Sequence, residues 1–136
     1  EATIESLKGH RVLLVEDNEL NREIARLILE EHGIITEEAD DGDVAVEMVR
    51  KVTEQGMYDY YSFILMDIQM PRMDGLEATA QIRSIPTPPG VHIPIIAMTA
   101  NAFVEDRQQV IAAGMDEHIA KPIDVDNLWT TLARFI

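Results

Sequence analysis

Short apolar runs alternate with segments of helical periodicity five times along this chain of 136 residues. Four runs stand out, at residues 12–15, 63–66, 93–98 and the weaker 118–120, and a fifth at 34–39 is interrupted by Glu37 and Glu38. Runs this short, bounded by charged or turn residues, are typical of strands buried on both faces, and an edge strand tolerates the two glutamates. Strands that alternate with helices predict an α/β fold, a doubly wound and mainly parallel five-stranded sheet between two helical layers.

The segments between the strands repeat apolar residues at helical spacing. Leu20, Ile24, Leu27 and Ile28 form one stripe of an amphipathic helix, and Gly33 is its expected stop. Two interpretations of this stripe stay open: it faces the core, or its first turn exposes an apolar patch. Further helices are predicted over residues 44–52, 76–85, 104–113 and 125–135.

Composition limits the class of partner. Acidic residues outnumber basic ones 25 to 11, giving a net charge of −14, which argues against direct binding to nucleic acid or to anionic lipid. The absence of cysteine excludes a disulfide scaffold and thiolate metal sites, as in a reducing cytosol. No apolar run approaches the roughly 18 residues of a membrane span. We therefore expect a cytoplasmic domain without direct membrane contact.

The first residue is Glu1 rather than methionine, which suggests a piece of a longer protein. The length fits one domain. We predict a linker or extension over residues 1–10 and a single domain over residues 11–136.

Polar side chains follow the predicted strands where each strand ends. Glu16 and Asp17 follow the first strand, Asp67 ends the third, Thr99 ends the fourth and Lys121 follows the fifth. In open parallel sheets the carboxyl ends of the strands share one edge, and ligands bind there. We therefore expect three carboxylates, one hydroxyl and one ammonium group to converge on one pocket.

Three ionised carboxylates need compensating positive charge, because like charges raise each other's pKa. Lys121 supplies one charge, and a hard divalent cation with oxygen ligands supplies two; carboxylates plus waters suit Mg²⁺. The metal, Lys121 and the Thr99 hydroxyl could then hold three phosphoryl oxygens, as phosphoryl transfer requires. A carboxylate can accept a phosphoryl group, and Asp67 is the best candidate because its strand is expected to be central.

These segments resemble the receiver domains of two-component response regulators. The similarity is carried by residues 12–18 (Val-Leu-Leu-Val-Glu-Asp-Asn), 65–71 (Leu-Met-Asp-Ile-Gln-Met-Pro), 73–75 (Met-Asp-Gly), 94–100 (Pro-Ile-Ile-Ala-Met-Thr-Ala) and 120–122 (Ala-Lys-Pro). It runs over essentially the whole chain from about Arg11. The resemblance implies a flavodoxin-like sheet with strand order 2-1-3-4-5.

The resemblance also implies a role for each residue of the phosphoacceptor pocket. Asp67 accepts a phosphoryl group from phosphohistidine. Asp17, Asp67 and the main-chain carbonyl of Gln69 bind Mg²⁺, while Glu16 acts through a water molecule. Lys121 pairs with the Asp67 carboxylate or with the phosphoryl group.

Two further roles implied by the family concern signalling and backbone geometry. Thr99 moves toward the phosphoryl group as a switch residue, and His118 occupies the position of the family's second, often aromatic, switch residue. The bond between Lys121 and Pro122 is expected to be cis, which prolyl bonds accept at low cost.

Asn18, the Asn21–Arg22 pair, residues 99–102 and residues 113–116 look most like receivers fused to hybrid sensor histidine kinases. The implied partners are the phosphohistidine domain of a histidine kinase and a histidine phosphotransfer domain, and a weak homodimer is a further expectation. The parent kinase is expected in the inner membrane, and the domain itself transfers phosphoryl groups only onto its own side chain.

Three other functions have requirements that can be compared with this sequence. The chain could instead be a stand-alone or output-domain-linked response regulator that controls transcription, which the full reading frame would reveal. A related phosphohydrolase would carry an acid–base aspartate two residues after its nucleophile, where this chain has Gln69, which cannot exchange protons at neutral pH. A flavin-binding protein would need a phosphate-binding loop after the first strand, where Glu16 and Asp17 would repel phosphate.

Overall fold

The computed structural model describes residues 7–99, 104–120, 124–132 and 134. Strands and helices alternate along this part of the chain, as the sequence predicts. The strands are Arg11–Val15 (β1), Ile35–Ala39 (β2), Phe63–Asp67 (β3), Ile95–Thr99 (β4) and Glu117–Ala120 (β5). The helices are Glu19–Glu31 (α1), Gly42–Glu54 (α2), Gly75–Arg83 (α3), Val104–Ala112 (α4) and Val125–Leu132 (α5).

All five strands are parallel, and their order is β2-β1-β3-β4-β5, which confirms the predicted topology. Val15 lies beside Met66 in the register of β1 and β3, and Asp67 lies beside Met98 in that of β3 and β4. The carboxyl ends of these three strands are therefore level with one another. β2 lies at one edge of the sheet, the position at which Glu37 and Glu38 were expected to be tolerated.

Alternate residues of the strands enter two separate cores. Leu13 and Val15 pack with α2, α3 and α4, whereas Val12 and Leu14 pack with α1 and α5. The second core also includes Leu7, which is 1% exposed although it belongs to the segment predicted as a linker. The result is the expected three-layer α/β/α arrangement. None of the helices in the described ranges is both long and apolar enough to cross a bilayer.

Three of the four residues in the apolar stripe of α1 face solvent. Leu20 is 64% exposed, Ile24 45% and Leu27 55%, whereas the buried residues of the helix are Ala25 and Leu29. Leu20 and Leu29 are nine residues apart, about two and a half turns, so they point to opposite sides of the helix. Of the two interpretations of the stripe, the structure supports the exposed patch, and it extends the patch beyond the first turn.

Candidate functional site

Three carboxylates meet at the carboxyl edge of the sheet. Glu16 and Asp67 are buried, at 2% and 6% exposure, and Asp17 is exposed. Carboxylate oxygens of all three residues lie within 4.8 Å of one another. The register places them there, because Glu16 follows Val15 at the end of β1 and Asp67 ends the neighbouring strand β3. The convergence of acidic side chains expected from the sequence is therefore present.

The remaining predicted residues are distributed around this edge. Thr99 ends β4, one residue beyond the neighbour of Asp67, and is partly buried. Gln69 lies exposed in the loop two residues after Asp67. His118 lies in β5, where its Nδ1 is 3.3 Å from the carboxylate of Glu117. Lys121 and Pro122 lie outside the described residues, so the ammonium contact and the cis peptide bond stay predictions.

The loop between β1 and α1 holds the acidic pair against the start of a helix. Asn18 caps α1 by accepting a hydrogen bond from the backbone N–H of Asn21 (2.9 Å), and its own N–H donates to the Glu16 carboxylate (3.2 Å). Arg22 Nη1 donates to the main-chain carbonyl of Glu16 (2.8 Å), while its Nε pairs with Glu38 (3.2 Å). The loop is thereby tied both to α1 and to β2, and the positive end of the helix dipole lies beside the carboxylates.

The loop after Asp67 folds back onto the end of its own strand. The N–H of Gly75 donates to the carbonyl of Ile68 (2.7 Å). A Cβ added to Gly75 would lie 2.2 Å from the main-chain oxygen of Asp67, so no larger residue fits at this approach. Asp74 caps α3 through the N–H of Glu77 (2.8 Å). The start of α3 is therefore packed directly against the backbone of the candidate phosphoacceptor.

Sequence reasoning missed a buried carboxylate beside this loop. Asp41 is fully buried and accepts hydrogen bonds from the backbone N–H groups of Gly42, Arg72 and Met73. It stands two residues after the end of β2. Ligands bind at the carboxyl ends of parallel strands, so polar residues just after each strand are candidates for function. The same rule, applied to β2, would have identified Asp41. Its partner N–H groups belong to a loop more than thirty positions away, which no local pattern indicates.

The three convergent carboxylates make an acidic, oxygen-only donor set. Carboxylate oxygens at this spacing repel one another unless positive charge is added. A hard divalent cation supplies that charge and prefers oxygen ligands. The carboxylate cluster therefore has the chemistry of a cation site.

Arg72, in the loop after β3, forms a two-point pair with the exposed Asp43 (both contacts 3.1 Å), and this guanidinium lowers the pKa of Asp43. The charge of Arg72 is thus paired with Asp43.

A second polar cluster lies at the start of β1, away from the three carboxylates. The hydroxyl groups of Tyr60 and Tyr61 both donate to Glu37, which also pairs with Arg11 Nε (3.2 Å). The Arg11 guanidinium stacks over the Tyr60 ring at 4.1 Å from its centroid. Burial and the Glu37 carboxylate raise the pKa of Tyr61 above its usual 10.0. The two tyrosines thus pack at the edge of the sheet, where Glu37 of β2 joins them.

The chain is similar to known proteins over nearly its whole length. Residues 12–133 match the family model of the response regulator receiver domain. A probable histidine kinase 2 of Oryza sativa subsp. indica is 44% identical over 125 residues, covering 87% of this chain and 12% of that protein. The two-component response regulator ORR41 of Oryza sativa subsp. japonica is 42% identical over 127 residues, covering 92% of this chain and 93% of that protein.

Solved structures of receiver domains have the same fold as this chain. The receiver domain of the histidine kinase CKI1 from Arabidopsis thaliana, complexed with Mg²⁺ and BeF₃⁻, has a TM-score of 0.83 and 36% identity, covering 96% of this chain and 92% of that one. The receiver domain of Ssk1 from Saccharomyces cerevisiae, crystallised with the histidine phosphotransfer protein Ypd1, has a TM-score of 0.77 and 26% identity, covering 96% and 94%. This chain, with its acidic edge and its 2-1-3-4-5 sheet, belongs to the response regulator receiver domain family of two-component phosphorelays.

Proposed function

We propose that this domain accepts a phosphoryl group on Asp67 in a Mg²⁺-dependent reaction with a phosphohistidine. The observation that carries the proposal is the approach of the Glu16, Asp17 and Asp67 carboxylate oxygens to within 4.8 Å of one another. Three ionised carboxylates this close repel one another, and a bound divalent cation relieves that repulsion. The similar CKI1 receiver was crystallised with Mg²⁺ and BeF₃⁻, which supports the same cation here.

The residues present fit a magnesium ion. Asp17, Asp67 and the main-chain carbonyl of Gln69 would hold it directly, and Glu16 would hold it through water. Magnesium binds few protein ligands and keeps several waters, so coordination positions stay open for a phosphoryl oxygen. When bound, the ion offsets the charge of the carboxylates and of the incoming phosphoryl group.

The transfer itself requires little more than positioning. An oxygen of the Asp67 carboxylate attacks the phosphorus, the bond between phosphorus and the imidazole nitrogen of the donor breaks, and the imidazole leaves with the bonding electrons. Lys121 would neutralise a second phosphoryl oxygen, and the Thr99 hydroxyl would donate to a third. Asp67 is only 6% exposed, so most of its surface is covered by protein and its carboxylate is held in place.

The exposed stripe on α1 supplies a docking surface for the donor. We define this surface, the α1 stripe, as Leu20, Ile24 and Leu27. Leu20 lies three residues after Asp17, so the stripe begins at the rim of the pocket and runs away from it along the helix. A histidine phosphotransfer domain could pack an apolar helix on the stripe while its imidazole reaches Asp67. The Ssk1 receiver, crystallised with such a protein, is similar in fold.

The parent protein is proposed to be a hybrid sensor histidine kinase. The support is the 44% identity to the rice histidine kinase, of whose length this chain spans 12%. A membrane location of that kinase and a weak homodimer of this domain belong to the same proposal. The similarity to ORR41, which this chain matches over 93% of its length, favours as a second candidate a regulator without a kinase domain. The complete reading frame distinguishes the two.

The test is phosphorylation by a small phosphodonor such as acetyl phosphate, followed by intact mass. Wild-type protein with Mg²⁺ should gain one phosphoryl group, and removal of Mg²⁺ with a chelator should prevent the gain. Asp67→Asn should abolish it, because the nucleophilic carboxylate is lost. Asp59→Asn is the matched control, since Asp59 is an exposed aspartate in the loop before β3. Unchanged labelling of Asp67→Asn would overturn the proposal.

A further inference from the structure

Asp41 is a fully buried acidic residue that the proposed chemistry does not use. Its Oδ1 accepts from the N–H of Gly42 (2.8 Å) and of Met73 (2.8 Å), and its Oδ2 accepts from the N–H of Arg72 (3.2 Å). Burying a carboxylate is costly unless hydrogen bonds compensate for the lost water, and three N–H groups do so here. These bonds fix the backbone of the two segments to which the N–H groups belong.

The bonds of Asp41 join two distant parts of the chain. Asp41 precedes α2, whereas Arg72 and Met73 lie 31 and 32 residues further on, in the loop between β3 and α3. The backbones are also in close contact, because a Cβ added to Gly42 would lie 2.4 Å from the carbonyl oxygen of Met73. The amino end of α2 therefore packs directly against this loop and is hydrogen-bonded to it.

The loop between β3 and α3 is thus fixed at both ends. It leaves β3 at Asp67, and it returns at Gly75, whose N–H donates to Ile68 and whose Cα approaches the Asp67 carbonyl. Asp41 holds the returning half at Arg72 and Met73. Gln69 lies between these anchors, exposed and two residues from the phosphoacceptor. The anchors on both sides of Gln69 restrict where its main-chain carbonyl can lie.

We propose that Asp41 is a positioning residue that holds the β3–α3 loop so that the Gln69 carbonyl is presented to the metal. The proposal rests on the proposed function, because the carbonyl matters only if a cation binds beside Asp67. A carboxylate suits the task better than an amide, because it accepts on both oxygens. In an asparagine, an NH₂ group replaces one of the two oxygens, and this donor would face the donor N–H of the backbone.

Asp41 also caps α2, so its capping role must be separated from the hold on the loop. Asp43 provides the matched control. It is an aspartate in the first turn of the same helix, and it contacts the same loop, but only through the side chain of the exposed Arg72. Asp43→Asn removes the same charge two residues away and leaves the bonds to the loop backbone intact.

The test compares Asp41→Asn and Asp41→Ala with wild type and with Asp43→Asn. In metal-free protein, amide hydrogen exchange at Met73 should accelerate about tenfold or more in Asp41→Ala, because bonds to a charged acceptor are strong. Exchange at Leu13 in β1 reports global opening and should change by a smaller factor. The Mg²⁺ dissociation constant, measured by calorimetry, should rise severalfold.

The controls decide between the explanations. Equal acceleration at Met73 and Leu13 with an unchanged Mg²⁺ dissociation constant would show that Asp41 is only structural. An equal loss of Mg²⁺ affinity in Asp43→Asn would show that charge alone matters. If Asp41→Ala does not fold, Asp41→Asn decides by the same measurements. A wild-type domain that binds no Mg²⁺ would refute the proposed function, whereas wild-type binding with unaltered variants would refute only the role of Asp41.

Discussion

Removing one leucine from the α1 stripe should weaken transfer from a phosphotransfer domain without affecting the phosphoacceptor chemistry. The variants are Leu20→Ala, at the rim of the pocket, and Leu27→Ala, about 10 Å further along the helix. Both side chains are more than half exposed, so neither contributes much to the core. We expect the free energy of unfolding to change by no more than about 0.5 kcal/mol, as is usual for surface substitutions.

The expected loss of affinity for the phosphotransfer domain can be estimated from the exposed surface of each leucine that docking would bury. Fully burying a leucine side chain is worth about 1.5–3 kcal/mol. Leu20 has 64% and Leu27 has 55% of its surface left to bury. Each substitution should therefore cost about 1–2 kcal/mol of binding, or roughly a 5- to 30-fold rise in the dissociation constant of the complex.

The assay measures two reactions on each variant. Labelling by acetyl phosphate should proceed at the wild-type rate, since the donor needs no docking surface. Transfer from a phosphorylated histidine phosphotransfer protein, at concentrations below its dissociation constant, should slow by the factor given above. Leu29→Ala is the control on the opposite side of α1, where the leucine is 1% exposed. It should destabilise the fold by about 2–5 kcal/mol and leave docking of the folded domain unchanged.

Two results would refute this reasoning. If both phosphorylation reactions slow equally, the α1 stripe acts on the pocket rather than on the partner. If neither slows, the partner docks elsewhere.

Three further outcomes are expected. Asp17→Asn should raise the Mg²⁺ dissociation constant by tenfold or more in calorimetry, because a charged ligand is lost. Arg22→Gln should slow labelling by acetyl phosphate, because the main-chain carbonyl of Glu16, in the loop after β1, loses its hydrogen bond from the Arg22 guanidinium. Arg26→Gln removes an equal charge from the same helix and should leave the labelling rate unchanged. The folded state holds the Tyr61 proton more tightly than the unfolded chain, so stability should fall as pH rises above about 10; denaturant titrations should show a shallower fall in Tyr61→Phe, which cannot ionise.

The sequence predicted the sheet and the acidic edge because both depend on local patterns. Apolar runs and turn residues define each strand, and parallel strands with helical crossovers bring their carboxyl ends together. The sequence therefore predicted that the carboxylates would cluster, because Glu16 and Asp17 follow β1 and Asp67 ends β3. The strand order itself came from the family resemblance, since alternation alone allows several orders.

The parts that were not predicted depend on packing between distant segments. Periodicity identified the stripe on α1, but only the rotation of the helix on the sheet showed that Ala25 and Leu29 are the buried residues. Asp41 and Glu37 are ordinary acidic residues in the sequence. The partners that define their roles, Tyr61 for Glu37 and Met73 for Asp41, stand more than twenty positions away. These roles therefore appear only once the loops before and after β3 are in place.

The central claim is that Asp67 carries the phosphoryl group, and locating the modified residue in wild-type protein tests it most directly. The domain is phosphorylated with acetyl phosphate and Mg²⁺ and reduced with borohydride, which converts an aspartyl phosphate to homoserine, and its peptides are then sequenced by mass spectrometry. We predict homoserine at position 67 and at no other aspartate, and none when Mg²⁺ is removed beforehand. Homoserine at Asp17 or at any other aspartate, with residue 67 unmodified, would contradict the account.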